Sequence, residues 1–314
     1  MQMECSYIKC HGSGNEFVMF DAVSNDFGGV PLAELAVAAC DRTTGVGADG
    51  VLLLVEQGGM YGMRMFNPDG SEAEMCGNGI RCVARAAEER LRCGEFTLFS
   101  GGRHYDICRA ADIFAGLPTY GVNIGVRLTS ADFGFMAAGE ESFCNRVIEP
   151  LHPELRFTAI NVGNPHIVAR TEKIDYALLE ELGRSVTRLG EVFPRGINVS
   201  LVEVRERNRI FVATYERGAG ITPSCGTAMT SSATAMALIG ACDYATDIWV
   251  ENRGGAVVCR CSREGGLHTR LTGNATYTSH GVMRTDGGNI VFEPRGLFAE
   301  ETALYERFVS QLKG

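Results

Sequence analysis

Two short segments of the chain repeat the same order of features, and this repeat limits the fold more than any other part of the sequence. At 76–77 and at 225–226 a cysteine precedes a glycine, after a strand-like run and before a stretch with helical spacing. The two cysteines lie 149 residues apart in a chain of 314 residues, which is long enough for two domains of ordinary size. The repeat is short, so its shared chemistry is more informative than its length.

The pattern of apolar residues predicts that strands and helices alternate along the chain. Strand character is found at 50–56, 63–67, 197–204 and 209–216. Helical spacing is found at 31–42, 80–91, 176–186, in the stretch after Cys225 and at 297–314. These patterns favour an α/β (α+β) fold, and no low-complexity linker separates the two halves.

The composition is that of a globular chain, with 45% hydrophobic and 21% charged residues. No stretch approaches the roughly 18 continuous apolar residues that a membrane helix needs. The first ten residues, MQMECSYIKC, lack the basic patch and apolar run of a secretory signal. We therefore expect a cytoplasmic protein without a membrane partner.

Charge and cysteine content exclude two further classes. The formal net charge of −9 repels polyanions, and no cluster of lysine and arginine with aromatic residues offsets it, so nucleic acid is not expected as a partner. The twelve cysteines are spread along the chain and contain no C-x-x-C pair, which disfavours a zinc site. We expect reduced thiols, most of them small buried hydrophobes, and no metal.

Cysteine at the entrance of a helix has a specific chemistry. The unpaired N–H groups and the positive end of the helix dipole are expected to lower the pKa of such a thiol, and they also bind anions. Two such entrances suggest one substrate carboxylate with a thiol on each face of its α-carbon. A thiolate at one face and a thiol at the other could then invert a stereocentre. His166 and Glu216 are candidates to move the protons of Cys76 and Cys225.

Four blocks of the sequence together resemble the diaminopimelate epimerase family, whose members need no pyridoxal cofactor. The blocks are HGSGNEFVMFD at 11–21, GVGADGVLLLVE through MFNPDGSEAEMCGNGIRC at 45–82, NVGNPHIVA at 161–169 and RGINVSLVEV through YERGAGITPSCGT at 195–227. The resemblance implies two pseudo-symmetric domains, each a sheet or open barrel wrapped around a central helix, with the active site in the cleft between them. We expect domains at 1–127, completed by 280–314, and at 128–279.

The resemblance also assigns roles to individual residues. Cys76 and Cys225 would be the acid/base thiols, and His166 and Glu216 would assist their ionisation. The residues expected to hold the amino acid substrate are Asn15, Asn67, Gly77, Asn78, Asn164, Asn198, Arg217, Gly226 and Thr227. The implied reaction interconverts LL- and meso-diaminopimelate, a step of lysine and peptidoglycan precursor biosynthesis. No cofactor is expected, the partner is a small-molecule amino acid, and a homodimer is left open.

Several positions depart from the family pattern. Gly220, Ile221 and Thr222 replace the usual Gly-Glu-Thr, and PSCGTAM replaces the commoner xACGTGA, so Pro223 and Ala228 are unusual. Glu16 stands where aspartate is usual. About thirty residues follow the point where such chains normally end. These changes concern substrate identity and the C-terminal fold more than the chemistry.

Two other functions remain open from the sequence. One is a cofactor-independent racemase of the same fold acting on another amino acid, such as histidine or proline. A proline racemase is expected to have histidine where this chain has Asn78, and a smaller substrate would leave Arg217 without a distal carboxylate. The other is a binding or redox protein in which the two thiols form a switchable disulfide.

Overall fold

The computed structural model describes residues 3–27, 29–286 and 289–312. Within these ranges the fold is mixed α/β and mostly sheet, with nineteen strands and five helices. The chain divides into two compact units: the first takes its residues from 1–122 and 272–314, and the second comprises 123–271. The boundaries expected from the sequence, after 127 and before 280, lie five and eight residues later in the chain.

The first unit is built from both ends of the chain. Its elements are β1 (Glu4–Gly12), β2 (Asn15–Asp21), α1 (Leu32–Cys40), β3 (Val51–Gln57), β4 (Met60–Phe66), β5 (Glu72–Ala73), α2 (Gly79–Leu91), β6 (Glu95–Ser100), β7 (Arg103–Ala110), β18 (Thr276–Asp286), β19 (Asn289–Leu297) and α5 (Ala299–Leu312). Strand β8 (Thr119–Gly125) contains the boundary to the second unit.

The second unit is one continuous segment. Its elements are β9 (Arg146–Val147), β10 (Arg156–Asn161), β11 (Pro165–Thr171), α3 (Tyr176–Arg188), β12 (Asn198–Glu206), β13 (Arg209–Glu216), β14 (Gly220–Thr222), α4 (Gly226–Leu238), β15 (Asp247–Asn252) and β16 (Gly255–Ser262). Strand β17 (His268–Asn274) contains the boundary back to the first unit.

The two units follow the same order of strand pairings. In the first, β1 and β2 form a hairpin, β2 runs parallel to β3 after the α1 crossover, β3 and β4 form a second hairpin, and β5 pairs with β4. In the second, β10 and β11 form a hairpin, and β11 runs parallel to β12 after the α3 crossover. Strands β12 and β13 form a second hairpin, and β14 pairs with β13. The short sequence repeat therefore belongs to a longer structural repeat, in which a cysteine precedes α2 and α4.

Helix α4 is the central helix of the second unit. Every residue of 226–237 is buried, and strands β10 to β13, β15 and β16 all contact the helix. Because most of its side chains are small, the strands can approach it closely. The hydroxyls of Thr230 and Thr234 donate to carbonyls one turn earlier, at 2.9 and 2.8 Å, so these polar groups are satisfied within the helix.

Helix α2 has the equivalent place in the first unit but is buried mainly over its first half. Residues 79–84 and Ala87 are buried, and the helix contacts β1 to β4. Its C-terminal turn carries exposed charged residues and ends at Arg92, which has a left-handed backbone conformation with φ of 54°. The helical pattern predicted at 80–91 is confirmed, and it begins one residue earlier than predicted.

The crossover helices cover the other face of each sheet. Helix α3 begins after Asp175, whose carboxylate accepts hydrogen bonds from the backbone N–H groups of Ala177 and Leu178 at 2.9 and 3.1 Å. It buries Leu179, Leu182 and Val186 against β10 to β13. Helix α1 places a similar apolar stripe on β2 and β3. The predicted helices at 31–42 and 176–186 are thus confirmed, with ends shifted by about two residues.

The C-terminal extension belongs to the first unit. Strand β18 pairs with β1 on one side and β19 on the other, and α5 packs on β18. The carboxylate of Glu301 on α5 accepts from Arg85 on α2 at 2.5 and 3.1 Å and from the backbone N–H of Tyr277 at 2.9 Å. The predicted terminal helix is confirmed over Ala299–Leu312; residues 313 and 314 of that prediction lie outside the described residues.

Candidate active site

A buried histidine is the centre of the polar cluster in the second unit. Strands β11 and β12 are parallel and place His166 beside Asn198. The Nε2 atom of His166 lies 3.1 Å from Asn164 Oδ1, 3.2 Å from Thr227 Oγ1 and 3.4 Å from Asn198 Nδ2. Asn164 Nδ2 also donates to the Thr227 hydroxyl at 3.2 Å. Four of the predicted site residues therefore share one hydrogen-bond network.

Cys225 joins this network from the entrance of α4. It is the N-cap residue, with an extended backbone (φ −132°, ψ 114°), and its sulfur lies 3.3 Å from the Thr227 hydroxyl oxygen. Burial and then the negative charge of Glu216 raise the pKa of the thiol well above its usual range, and the donors of Thr227 and Ala228 only partly offset this. The expected lowering of this pKa is therefore wrong for Cys225, because desolvation outweighs the helix terminus.

Glu216 and Arg217 lie at the end of β13, where the short strand β14 folds back on it. Glu216 pairs with Gly220 in this ladder, and the hydroxyl of Thr222 donates to the Glu216 carboxylate. The backbone N–H of Arg217 donates to Asn198 Oδ1 at 2.8 Å, which ties Arg217 to the histidine network. Its guanidinium donates to the backbone carbonyl of Arg195 at 2.5 Å.

The environment of His166 keeps its imidazole neutral. Complete burial, and secondarily the positive charge of Arg217, lower the pKa of His166 to about 3. The other ring nitrogen, Nδ1, is buried and has no hydrogen-bond partner among the described residues. A histidine in this state holds neighbouring groups through Nε2 and accepts a proton only with difficulty.

The first unit holds a second, smaller cluster around Cys76. The Cys76 thiol lies 3.9 Å from Asn15 Oδ1, to which Asn78 Nδ2 donates at 3.3 Å. The backbone N–H of Gly79, the first residue of α2, donates to the Cys76 sulfur at 3.4 Å. Cys76 thus precedes its helix by a two-residue turn, whereas Cys225 directly precedes α4. All twelve cysteines of the chain are present as thiols.

Two predicted site residues of this unit have different surroundings. The hydrogen bonds that Asn67 makes stay in its own turn, where its amide donates to Ser71 Oγ at 3.0 Å and its N–H to Ser71 O at 2.8 Å. The carbonyl of Gly77 accepts from the buried Arg81 at 2.8 Å. The structure therefore groups Asn15, Cys76 and Asn78, and it groups Asn67 with its own turn.

Sequence reasoning missed two residues that hold the predicted ones in place. The Asp49 carboxylate accepts from Asn15 Nδ2 at 3.0 Å and from the backbone N–H of Glu16 at 2.9 Å. Thr222 binds the Glu216 carboxylate, as described above. Asp49 stands between glycines in GVGADG, a pattern typical of a turn.

Neither cluster has the composition of a metal centre. In the described ranges, no group of three or more His, Cys, Asp or Glu side chains is arranged to hold a metal ion. Over the same residues, the helices are all too short or too polar to cross a bilayer.

Comparisons with known proteins place the chain in a family. The family described as diaminopimelate epimerase matches residues 7–104 and 158–278. The diaminopimelate epimerase of Clostridium acetobutylicum is 35% identical over 315 residues, covering 98% of this chain and 94% of that protein. That of Ligilactobacillus salivarius is 36% identical and covers 97% and 98%.

Solved structures show the same fold at low sequence identity. A phenazine biosynthesis protein of the PhzF family from Bacillus anthracis has a TM-score of 0.64 at 14% identity and covers 90% of this chain and 99% of its own. A hydroxyproline epimerase from Agrobacterium vitis, with bound trans-4-hydroxy-L-proline, has a TM-score of 0.61 at 14% identity and covers 90% and 93%. The fold is thus shared more widely than the sequence match, which covers more than half of the chain and shows that it belongs to the diaminopimelate epimerase family.

Proposed function

We propose that this chain carries out its diaminopimelate epimerase reaction with two thiols, Cys76 and Cys225, that act on opposite faces of one α-carbon. The activity itself follows from the family and from curated relatives that match nearly the whole chain. The observation that supports the roles of the thiols is their equivalent position in two units with the same order of pairings. A duplicated cysteine at a duplicated helix entrance is what inversion at one carbon needs.

The proton balance of the reaction is simple. One sulfur, as a thiolate, takes the α-proton, and the electron pair of the C–H bond passes into the carboxylate. The other sulfur, as a thiol, then gives its proton to the opposite face of the same carbon. The two sulfurs finish with their protonation states exchanged, so the reverse reaction starts from the product.

The surroundings of the sulfurs favour different starting states. Burial and the Glu216 charge hold the proton on Cys225, which suits a proton donor. The Cys76 sulfur accepts an N–H from Gly79, and such a donor stabilises a thiolate more than a thiol. We propose that Cys76 starts as the thiolate when Cys225 starts as the thiol.

Glu216 and His166 have different parts in this proposal. Glu216 bears a charge that acts on the Cys225 thiol, so it is the group that can receive the proton when Cys225 must become a thiolate. His166, with its pKa lowered to about 3, is better suited to hold Thr227, Asn164 and Asn198 in place. A reduced cytoplasm, where we expect the chain to work, keeps both thiols available.

The remaining predicted residues would hold the substrate. Amide groups can donate and accept, and a guanidinium offers a two-pronged donor to a carboxylate. We propose that the residues at the two helix entrances bind the reacting carboxylate. The residues proposed to hold the amino acid, several of them at its remote amino and carboxylate groups, are Asn15, Asn67, Asn164, Asn198 and Arg217. The residues proposed for the reacting carboxylate are Gly77, Asn78, Gly226 and Thr227.

Proton exchange in D2O tests the reaction and its substrate. LL-diaminopimelate should give meso product with deuterium at the inverted α-carbon, followed by mass spectrometry and optical rotation. Incorporation into lysine, histidine or proline at a comparable rate would instead support the alternative racemase. Absence of incorporation into any amino acid would overturn the proposal in favour of a binding or redox protein.

A further inference from the structure

Arg81 is the largest fully buried side chain in the described part of the chain, and it lies in the first turn of α2. Its guanidinium donates to three segments of the first unit: Nη1 to Gly77 O at 2.8 Å, Nη2 to Ser13 Oγ at 3.0 Å and Nε to Asn274 O at 3.1 Å. A buried guanidinium is costly unless it is well hydrogen-bonded. Its position at this junction therefore calls for a reason beyond packing.

The bond to Gly77 fixes the direction of the next N–H group. In a planar trans peptide the carbonyl of one residue and the N–H of the following residue point in opposite directions. Since Arg81 holds the Gly77 carbonyl, the N–H of Asn78 points away from the guanidinium. That N–H belongs to the turn that directly follows Cys76, where the reacting carboxylate is proposed to bind. The nearby positive charge also polarises this peptide and makes its N–H a stronger donor.

The hydrogen bond from Arg81 to Ser13 holds the turn that leads to Asn15, the other part of the cluster around Cys76. Ser13 lies in the turn between β1 and β2 with φ of 54°, and its N–H donates to Asn274 Oδ1 at 2.9 Å. Two residues later, Asn15 Oδ1 faces the Cys76 thiol and accepts from Asn78. Gly12 packs tightly against Arg81 and Asn78, because a Cβ on Gly12 would lie 2.8 Å from Arg81 Nη2 and 2.8 Å from Asn78 O.

We propose that Arg81 is a positioning residue for epimerisation, which aims the Asn78 N–H and the Asn15 amide at the carboxylate as negative charge develops on it. This inference rests on the proposed function, because it assumes that Cys76 works beside that carboxylate. Arg81 acts through the Gly77 carbonyl and the Ser13 hydroxyl. Misaligned donors lower transition-state stabilisation more than ground-state binding.

Arg81→Met tests the proposal, and Arg85→Met is the matched control. Arg85 lies one turn further on α2, is also largely buried, and donates to Glu301 and to the Ala275 carbonyl. We expect Arg81→Met to lower kcat about 10- to 100-fold with a much smaller change in KM. Arg85→Met should retain kcat within about threefold at a comparable loss in melting temperature. Equal kcat losses in the two variants at matched stability would overturn the proposal.

A rescue experiment separates positioning from stability. Arg81→Ala leaves room for a free guanidinium ion, so millimolar guanidinium should restore part of the kcat of this variant. A variant that is only destabilised gains nothing, because this concentration is far below the denaturing range. If Arg81→Met does not fold, Arg81→Lys is measured in the same assays: an unchanged kcat overturns the proposal and a lowered kcat with unchanged KM supports it. Cys76→Ala is measured alongside. Activity in that variant would refute the proposed function itself, whereas an inactive Cys76→Ala with a normal Arg81→Met would refute only the inference.

Discussion

The hydroxyl oxygen of Thr227 lies 3.3 Å from the sulfur of Cys225, so the thiol and the histidine network meet at one hydroxyl group. The same oxygen lies 3.2 Å from His166 Nε2 and accepts from Asn164 Nδ2 at 3.2 Å. Thr227→Val removes this oxygen at nearly constant volume. We expect kcat to fall about tenfold or more, because the loss leaves buried polar partners unsatisfied.

Thr227→Ser is the matched control for that experiment. Serine retains the hydroxyl and loses only a methyl group, so most of kcat should be retained while the melting temperature falls slightly. Steady-state rates of both variants, measured with circular dichroism melts, distinguish the two effects. If Thr227→Val and Thr227→Ser had the same kcat, the hydroxyl would have no part in the reaction.

Each of the two thiols should be indispensable for epimerisation. Cys76→Ala and Cys225→Ala should each lower turnover by about 10³-fold or more, because one remaining thiol cannot deliver a proton to the opposite face. Deuterium incorporation and optical rotation measure the loss. Cys259→Ala is the control, since Cys259 is a fully buried thiol of the second unit outside the cluster. More than a few per cent of normal turnover in either active-site variant would contradict the two-base reaction.

The buried histidines should make the protein less stable in acid. Burial lowers the pKa of His11 and of His166 to about 3, from an ordinary value of 6.5. Below pH 6.5 the unfolded chain binds protons that the folded chain does not, so the free energy of unfolding falls as pH drops from 6.5 toward 3. Each histidine should contribute a slope of about 1.4 kcal/mol per pH unit. Above pH 6.5 this contribution is fully present.

Urea unfolding between about pH 7 and about pH 5 measures this slope. Glutamine at position 166 cannot take up the proton. The slope for His166→Gln should therefore be smaller than that of the unmodified protein by about 1.4 kcal/mol per pH unit. His104→Gln replaces an exposed histidine and is the control. A slope for His166→Gln equal to that of the unmodified protein would show that His166 does not remain neutral in the folded chain.

Local patterns were sufficient to predict most of the elements that carry the site. The apolar spacing at 80–91 and the small residues after Cys225 both predicted helices, and α2 and α4 follow the two cysteines. What the sequence could not show was burial. The helix-terminus argument predicted a lowered pKa for Cys225, but burial and then the charge of Glu216 raise this pKa. Desolvation depends on residues distant in the sequence, which periodicity does not report.

The hydrogen-bond partners of the site residues could not be predicted from the sequence either. Asn67 was grouped with the other asparagines, yet its hydrogen bonds are with Ser71 in the same turn. Asp49 was inside a quoted motif, but its bond to Asn15 depends on the parallel pairing of β2 and β3. Arg81 in GIRC reads as one charged residue of an amphipathic helix, and only the structure shows that it is fully buried.

Arg217 should determine the preference for a substrate with a second carboxylate. Its guanidinium donates to the Arg195 carbonyl, and a ligand carboxylate would offer it a stronger, charged acceptor. A site built around such a group can reject an analogue that lacks it by about 10⁴-fold. We therefore expect kcat/KM for diaminopimelate to exceed that for lysine by about this factor. Arg217→Met should lose most of the difference.

A substitution at Gly196 tests the role of Arg217 without removing its charge. It has φ of 68°, and a Cβ at this position would lie 2.8 Å from Arg217 Cδ. Gly196→Ala should therefore displace the Arg217 side chain and reduce the discrimination partly, with the charge retained. Arg195→Met is the control, because it removes an exposed neighbouring guanidinium, which pairs with Asp132, and keeps the backbone carbonyl. The quantity compared is the ratio of kcat/KM for diaminopimelate to kcat/KM for lysine. If this ratio is the same in Arg217→Met and Arg195→Met, other residues bind the distal carboxylate. Comparable kcat/KM for lysine, histidine or proline in the unmodified protein would favour a cofactor-independent racemase of the same fold that acts on another amino acid.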